Sequence, residues 1–304
     1  MLNLLKKLAL STARRLGYEV LPIHAFAGAG LASAAPVAPV DVSSGNVELA
    51  AEYQRVLSAL NMSQTMRKIH VQDAVEIEEL YRMFMFPELP RREGRAELLN
   101  DLIGTTISEA TYILRSLHEG LKVGGDICEF GVAQGATSRL MAAEILPTDR
   151  KLWLFDSFEG LPEPGPEDKL IHDIFNLGSM DKYKGTMASP ESEVLAKLAQ
   201  VNFPTNRIKI KKGWVNESLK TADLPKQVAF AYVDFDFYEP IKDALHFLDG
   251  VMPAGGHIVV DDYGFFSDGA QLAVDEFVKL KGDRYKFEMP LPFAGHFCVL
   301  AKQQ

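Results

Sequence analysis

The strongest constraint on this chain lies in residues 228–263. An apolar run, VAFAYV, ends in Asp234-Phe235-Asp236. A helix-period stretch follows, then Pro253, Gly255 and Gly256, and a second apolar run, HIVV, ends in Asp261-Asp262. This reads as strand, helix, strand, with a pair of carboxylates at the C-terminal end of each strand. In an open α/β sheet, ligands sit outside those ends. Four carboxylates gathered there repel one another unless a cation or a bound proton relieves them. A hard divalent ion such as Mg²⁺, which prefers oxygen ligands, meets that need. Aspartates also cap helices and turns, but two pairs at matching strand ends favour a site.

The totals narrow the class. A chain of 304 residues suggests one large domain with an appendage, or two small domains. The formal charge of −9 argues against a sequence-independent grip on nucleic acid. Cys128 and Cys298 each fall in an apolar strand-like run. Without a CxxC or a His/Cys cluster they read as buried thiols of a reduced, cytoplasmic protein. No stretch reaches the roughly 18 uninterrupted apolar residues of a membrane span. Residues 1–40 loosely imitate a signal peptide, but Arg14, Arg15, Glu19 and His24 interrupt the apolar region.

Taken in order, the chain divides into an N-terminal helix (1–24), a linker (25–46), a helical region (47–120) and a core of alternating strands and helices (121–304). Residues 2–17 are amphipathic and basic. Such a helix lies on an anionic membrane surface, at the inner face of the cell membrane, or docks on its own protein or a second subunit of a homo-oligomer, and docking is preferred. Residues 25–46 are rich in Ala, Gly, Pro and Ser. Helical spacing returns over 47–60, 73–85 and 95–119; Pro87 and Pro90 close the second run, and Gly104-Thr105-Thr106 can split the third. From residue 123 the pattern is DICEFGV, a helix, KLWLFDSF, a helix over 190–201, RIKIKKGW, VAFAYVDFD, HIVVDDYG, a helix over 269–280, and a closing hairpin. That order implies an α/β fold, a doubly wound Rossmann-like sheet, mostly parallel, with an antiparallel C-terminal hairpin and helices in front. Residues 160–187 are irregular and long enough for a lid or binding loop.

The first of these strands runs into Glu129-Phe130-Gly131-Val132-Ala133-Gln134-Gly135. Two glycines let the backbone turn sharply and let a ligand approach the next helix N-terminus. The spacing is neither a dinucleotide fingerprint nor a P-loop. The second strand ends at Asp156, placed to bond ribose hydroxyls. A glycine turn after strand one with an acid after strand two points to a nucleoside-containing cofactor.

ICEFGVAQGATS, LWLFDSFEGLPEP, AYVDFDFYEP and GGHIVVDDYG together resemble the motifs of the macrocin O-methyltransferase family (TylF/MycF type), over roughly residues 90–300. The resemblance implies a methyltransferase that uses S-adenosylmethionine and Mg²⁺ and acts on sugar hydroxyls of glycans or glycosylated natural products. It implies that Glu129, Gly131 and Gly135 shape the methionine end of the cofactor pocket, with Thr137 and Ser138 opening the helix beside it. Asp156 and Ser157 would face the ribose, and Gly213-Trp214 would lie near the adenine. Asp261 and Asp262 match the family's metal pair. Asp234 fits the spacing of the third ligand, leaving Asp236 either as a group supporting the ligands or as the base that takes the hydroxyl proton; the exchange of the two residues' roles stays open. Tyr238 packs or hydrogen-bonds nearby. Two adjacent hydroxyls would chelate the ion, so a vicinal diol is the expected acceptor.

The histidines carry less. His118 reads as a surface or last-turn residue and His257 as a strand residue. The less favoured readings put His172, in the long loop, against a substrate and His296, in the hairpin, at the sheet end. Two other classes compete: an NAD-dependent oxidoreductase on a Rossmann-like sheet, which the missing G-x-G-x-x-G opposes, and a non-catalytic cofactor-binding scaffold, which gains nothing from crowded aspartates.

Overall fold

The computed structural model describes residues 67–303. The helix expected over residues 2–17, the linker over 25–46 and the helical run over 47–60 lie outside the described residues. None of the described helices is long and apolar enough to cross a membrane.

Helix α1 is described over residues 67–84. Then come α2 (Arg95–Asn100), α3 (Ile107–Gly120), β1 (Asp126–Phe130), α4 (Ala136–Ile145), β2 (Leu152–Asp156), α5 (Glu191–Gln200) and β3 (Ile208–Lys212). The rest is α6 (Val215–Ser218), β4 (Val228–Val233), α7 (Tyr238–Val251), β5 (His257–Val260), α8 (Asp268–Lys281), β6 (Tyr285–Glu288) and β7 (Cys298–Lys302). The third helical run does split at Gly104: Thr106 caps α3, its hydroxyl accepting the Glu109 N–H at 3.0 Å.

One seven-stranded sheet has the order β3-β2-β1-β4-β5-β7-β6. The first five strands are parallel, while β7 pairs antiparallel with both β5 and β6. All six residues of β4 are buried, as befits a central strand covered on both faces. Its alternation sorts the core. Phe230 and Tyr232 pack under α3 and α4, whereas Ala231 and Val233 pack against α7 and α8. Cys128 on β1 and Cys298 on β7 are buried free thiols in the latter layer.

A buried ion network ties the leading helices to the core. The Arg95 guanidinium is fully buried and donates to Glu78 of α1, to both Glu144 oxygens of α4 (2.9 and 2.7 Å) and to the Pro90 carbonyl (2.7 Å). His118, in the last turn of α3, meets the same Glu144 at 2.8 Å. Burial works against the Glu144 charge, yet His118 and Arg95 hold its carboxyl below the ordinary range.

The order reverses between β1 and β4, because β2 and β3 lie on one side and β4 and β5 on the other. The crevice beyond the C-terminal ends of β1 and β4 is therefore the topological switch point.

Candidate active site

Two loops meet in that crevice. The loop after β1 turns on Gly131, at φ +85°, and Gly135, at φ +77°, which caps α4. A β-carbon on Gly131 would overlap the Asp234 carbonyl oxygen, so only glycine lets the two strand ends approach this closely. Asp234 in turn donates its N–H to the Phe130 carbonyl at 2.7 Å. The cofactor-type loop and the aspartate loop are joined there, backbone to backbone.

The Asp156 carboxylate binds the turn itself. It accepts the N–H groups of Val132 at 2.6 Å, Ala133 at 3.1 Å and Phe158 at 2.6 Å. The acid expected to face a ribose is thus also the clamp on the glycine turn. Ser157 is buried and accepts the Glu159 N–H at 3.0 Å. Gly213 donates to the Asp156 carbonyl at 2.9 Å, which brings Gly213 and half-buried Trp214 to the same strand end. Glu129 is buried under the turn and accepts the Ser138 hydroxyl. Burial raises its carboxyl to about 8, helped by the nearby Asp156 charge and opposed by Ser138. Thr137 lies 3.4 Å, oxygen to oxygen, from Thr105.

Across Gly131 stand the aspartates. Carboxylate oxygens of Asp234, Asp236 and Asp262 all lie within 4.8 Å of one another. Asp236, at φ +61°, and Asp262, at φ +55°, both sit in left-handed backbone. Such strain in non-glycine residues gathers at functional sites. Burial raises all three carboxyls well above the ordinary range, and their mutual charges add to it. The set fits a hard cation by donor chemistry. All three donors are carboxylate oxygens.

This trio differs from the expected ligand set by one exchange, Asp236 in place of Asp261. Asp261 stands next to this trio, but both of its oxygens are already engaged by hydrogen bonds. The register Val233↔Val260 puts Asp261 beside Asp234 on the α3 face of the sheet. There the Tyr232 hydroxyl donates to Asp261 at 2.8 Å, and the Asp262 N–H donates to its other oxygen at 2.8 Å. Tyr232 also lies 3.2 Å from buried Glu109 of α3. Burial raises Asp261, while Tyr232, the Asp262 N–H and Glu109 oppose that rise. Glu109 was not foreseen. It stands 123 residues from Tyr232, with no local signal; Tyr232 carried one, two residues before Asp234 on an alternating strand.

The remaining candidates are spread around this centre. Tyr238 opens α7 and donates its hydroxyl to Glu276 of α8 at 2.7 Å. His257 starts β5, with Nδ1 3.0 Å from the Gly255 carbonyl oxygen. The long loop is folded down onto the site: Leu170 bridges Ser267, and Asp168 accepts the N–H groups of Tyr238 and Gly165, each at 2.8 Å.

A profile of the macrocin-O-methyltransferase (TylF) family matches residues 111–290. Among characterised proteins, the chain is similar to the 8-demethyl-8-(2,3-dimethoxy-alpha-L-rhamnosyl)-tetracenomycin-C 4'-O-methyltransferase of Streptomyces olivaceus. The two are 30% identical over 158 residues, 51% of this chain and 58% of that protein, so the match spans somewhat over half of that relative. It is also 30% identical to the demethyldecarbamoylnovobiocin O-methyltransferase of Streptomyces niveus over 202 residues, 65% of this chain and 75% of the relative. The structure of the O-methyltransferase NovP superposes with a TM-score of 0.55 at 24% identity, covering 66% of this chain and 81% of that one, a likeness of fold.

Proposed function

The chain belongs to the macrocin-O-methyltransferase family, and from that premise we propose that it is an S-adenosylmethionine- and Mg²⁺-dependent O-methyltransferase acting on a sugar hydroxyl. The observation that carries this reading is the junction at Gly131, where a glycine turn with a buried acid abuts a three-aspartate oxygen set. Neither a nicotinamide enzyme nor a cofactor-binding scaffold has a use for the second half.

S-adenosylmethionine, when bound, supplies a sulfonium methyl group for an in-line displacement. Glu129 would hold the amino end of the cofactor, the Gly131–Gly135 turn would lie against its methionine portion, and Ser157 and Asp156 would face the ribose. Mg²⁺, when bound, would lower the pKa of the acceptor hydroxyl and fix its direction. Asp234 and Asp262 would hold the ion. Asp236 lies in the same oxygen set, so a hydroxyl seated there would be within its reach, and it would take the proton. Asp261, held by Tyr232, would keep Asp262 in its left-handed turn.

The acceptor class follows from the relatives' names, one of which is a rhamnosyl compound. A sugar with adjacent hydroxyls suits an oxygen-bound ion best. The test is transfer of labelled methyl to 4-nitrophenyl α-L-rhamnopyranoside, with and without EDTA, for the native protein and Asp262→Asn. Mg²⁺-dependent transfer that the substitution abolishes, with cofactor binding retained, supports the reading. Transfer undiminished by EDTA refutes the metal, and binding of NAD but not S-adenosylmethionine refutes the reaction class.

A further inference from the structure

Three segments far apart in sequence bring aromatic rings together beside the aspartates. His172 comes from the long loop, Phe265 from the turn after β5 and His296 from the loop between β6 and β7. The His172 and Phe265 ring centres are 4.8 Å apart, and those of Phe265 and His296 are 4.6 Å apart at an interplanar angle of 22°. The row adjoins the carboxylate set directly, since Phe265 donates its N–H to the Asp262 carbonyl at 3.2 Å.

Each segment is anchored independently of the stacking. Ile171 donates its N–H to the Phe266 carbonyl at 3.0 Å, which fixes the long loop beside the turn. The hairpin loop is held by the Thr106 hydroxyl on the Ala294 carbonyl at 2.9 Å and by the Leu291 N–H on the Tyr112 hydroxyl at 3.1 Å. Both imidazoles are exposed, and Phe265 is half-buried between them. Among the described residues, neither His172 nor His296 has a hydrogen-bond partner on its ring nitrogens. Two imidazoles whose planes are set by packing, and whose nitrogens are unspent, offer donors and acceptors in fixed directions. A polyhydroxylated ring is the ligand that uses such groups, since each hydroxyl both donates and accepts.

We propose that His172 and His296, braced on Phe265, are specificity-determining residues that bind the hydroxyls of the acceptor sugar that are not methylated. This rests on the sugar methyltransferase reading above. The role is positioning: the imidazoles hold the ring while the aspartates act on the reacting hydroxyl.

The experiment measures methyl transfer to 4-nitrophenyl α-L-rhamnopyranoside and its 2-, 3- and 4-deoxy analogues by the full chain with Mg²⁺, for native protein, His172→Ala, His296→Ala and His172→Asn. Each alanine variant should raise the acceptor KM about tenfold, the loss of one or two hydrogen bonds, with kcat and the cofactor KM nearly unchanged. His172→Asn, which keeps a donor and an acceptor, should recover part of that loss. The deoxy analogue lacking the bonded hydroxyl should penalise the native protein but not the matching variant. Unchanged thermal melting of the variants confirms that these exposed positions leave the fold intact. An acceptor KM within twofold of native in both alanine variants overturns the proposal, as does a collapse of kcat at unchanged KM, which would place His296 in the chemistry. If the native protein methylates none of these sugars, the underlying reading falls and takes this one with it; turnover by the native protein with unaffected variants sinks this one alone.

Discussion

Replacing Gly131 by alanine tests whether the two halves of the site depend on one backbone contact. An alanine β-carbon would lie 2.7 Å from the Asp234 carbonyl carbon, besides overlapping its oxygen. Non-bonded carbons rest about 3.5–4.0 Å apart, and the oxygen contact is tighter still, so the ends of β1 and β4 must separate by more than about 1 Å. Gly178 supplies the control, for its φ is +84° against +85° at Gly131, but a β-carbon there meets nothing within 4 Å. Left-handed backbone costs an L-residue about 1–2 kcal/mol at either position. Overpacking adds about 1–3 kcal/mol at Gly131 alone. Gly178→Ala should therefore lose about 1–2 kcal/mol and Gly131→Ala about 2–5 kcal/mol, read by calorimetric melting as a drop of roughly 3–8 °C for the latter. Because Asp234 moves with the strand end, Gly131→Ala should also weaken Mg²⁺ activation by more than about tenfold, a displacement of the kind that positioning effects amplify. Equal melting losses in the two variants, or native Mg²⁺ activation in Gly131→Ala, would refute the reasoning.

Arg95→Met strands Glu78 and Glu144 in the interior and should cost about 3–5 kcal/mol, measured by urea unfolding. Glu129, raised to about 8 by burial, keeps its proton in the folded chain above the pH at which the unfolded chain loses it. Its own contribution to stability should then fall between about pH 4.5 and 8, by about 1.4 kcal/mol per unit at most, and Glu129→Gln should lessen the slope of melting curves taken across the range by that share, the buried aspartates keeping theirs. Proton release on cofactor binding, detected by titration calorimetry in two buffers, should vanish in the same variant. Tyr232→Phe takes a donor from Asp261 and should raise the Mg²⁺ concentration for half-activation about tenfold with little change in cofactor affinity; an unaltered Mg²⁺ dependence would separate Asp261 from the metal site.

Much of this site was legible because its parts are local. The Gly131–Gly135 turn and the acid-ended strands announce themselves through spacing and alternation, which reflect backbone sterics within a few residues. The split at Gly104 and the Thr106 cap are local in the same way. Asp156 was legible as an acid at a strand end, but its bonds to Val132 and Ala133 were not, because they cross 24 and 23 residues of chain. The Arg95 network was invisible for the same reason. Arg95 reads as one more polar residue in a helical run until three other helices close around it.

The amino-acid sequence by itself determined the order of strands and helices, the carboxylates at their ends and the glycines between them. Each of those follows from a residue and its near neighbours. Tertiary structure alone decided which strands became neighbours and in what register, and so which aspartates share a face. It sent Asp261 to Tyr232 and Glu109, left Asp236 beside Asp234 and Asp262, and stacked two histidines on Phe265. The physical reason is that a side chain's direction is set by its own strand, whereas its partner is set by the packing of segments as far off as 29 residues for Tyr232 and Asp261 and 123 for Tyr232 and Glu109.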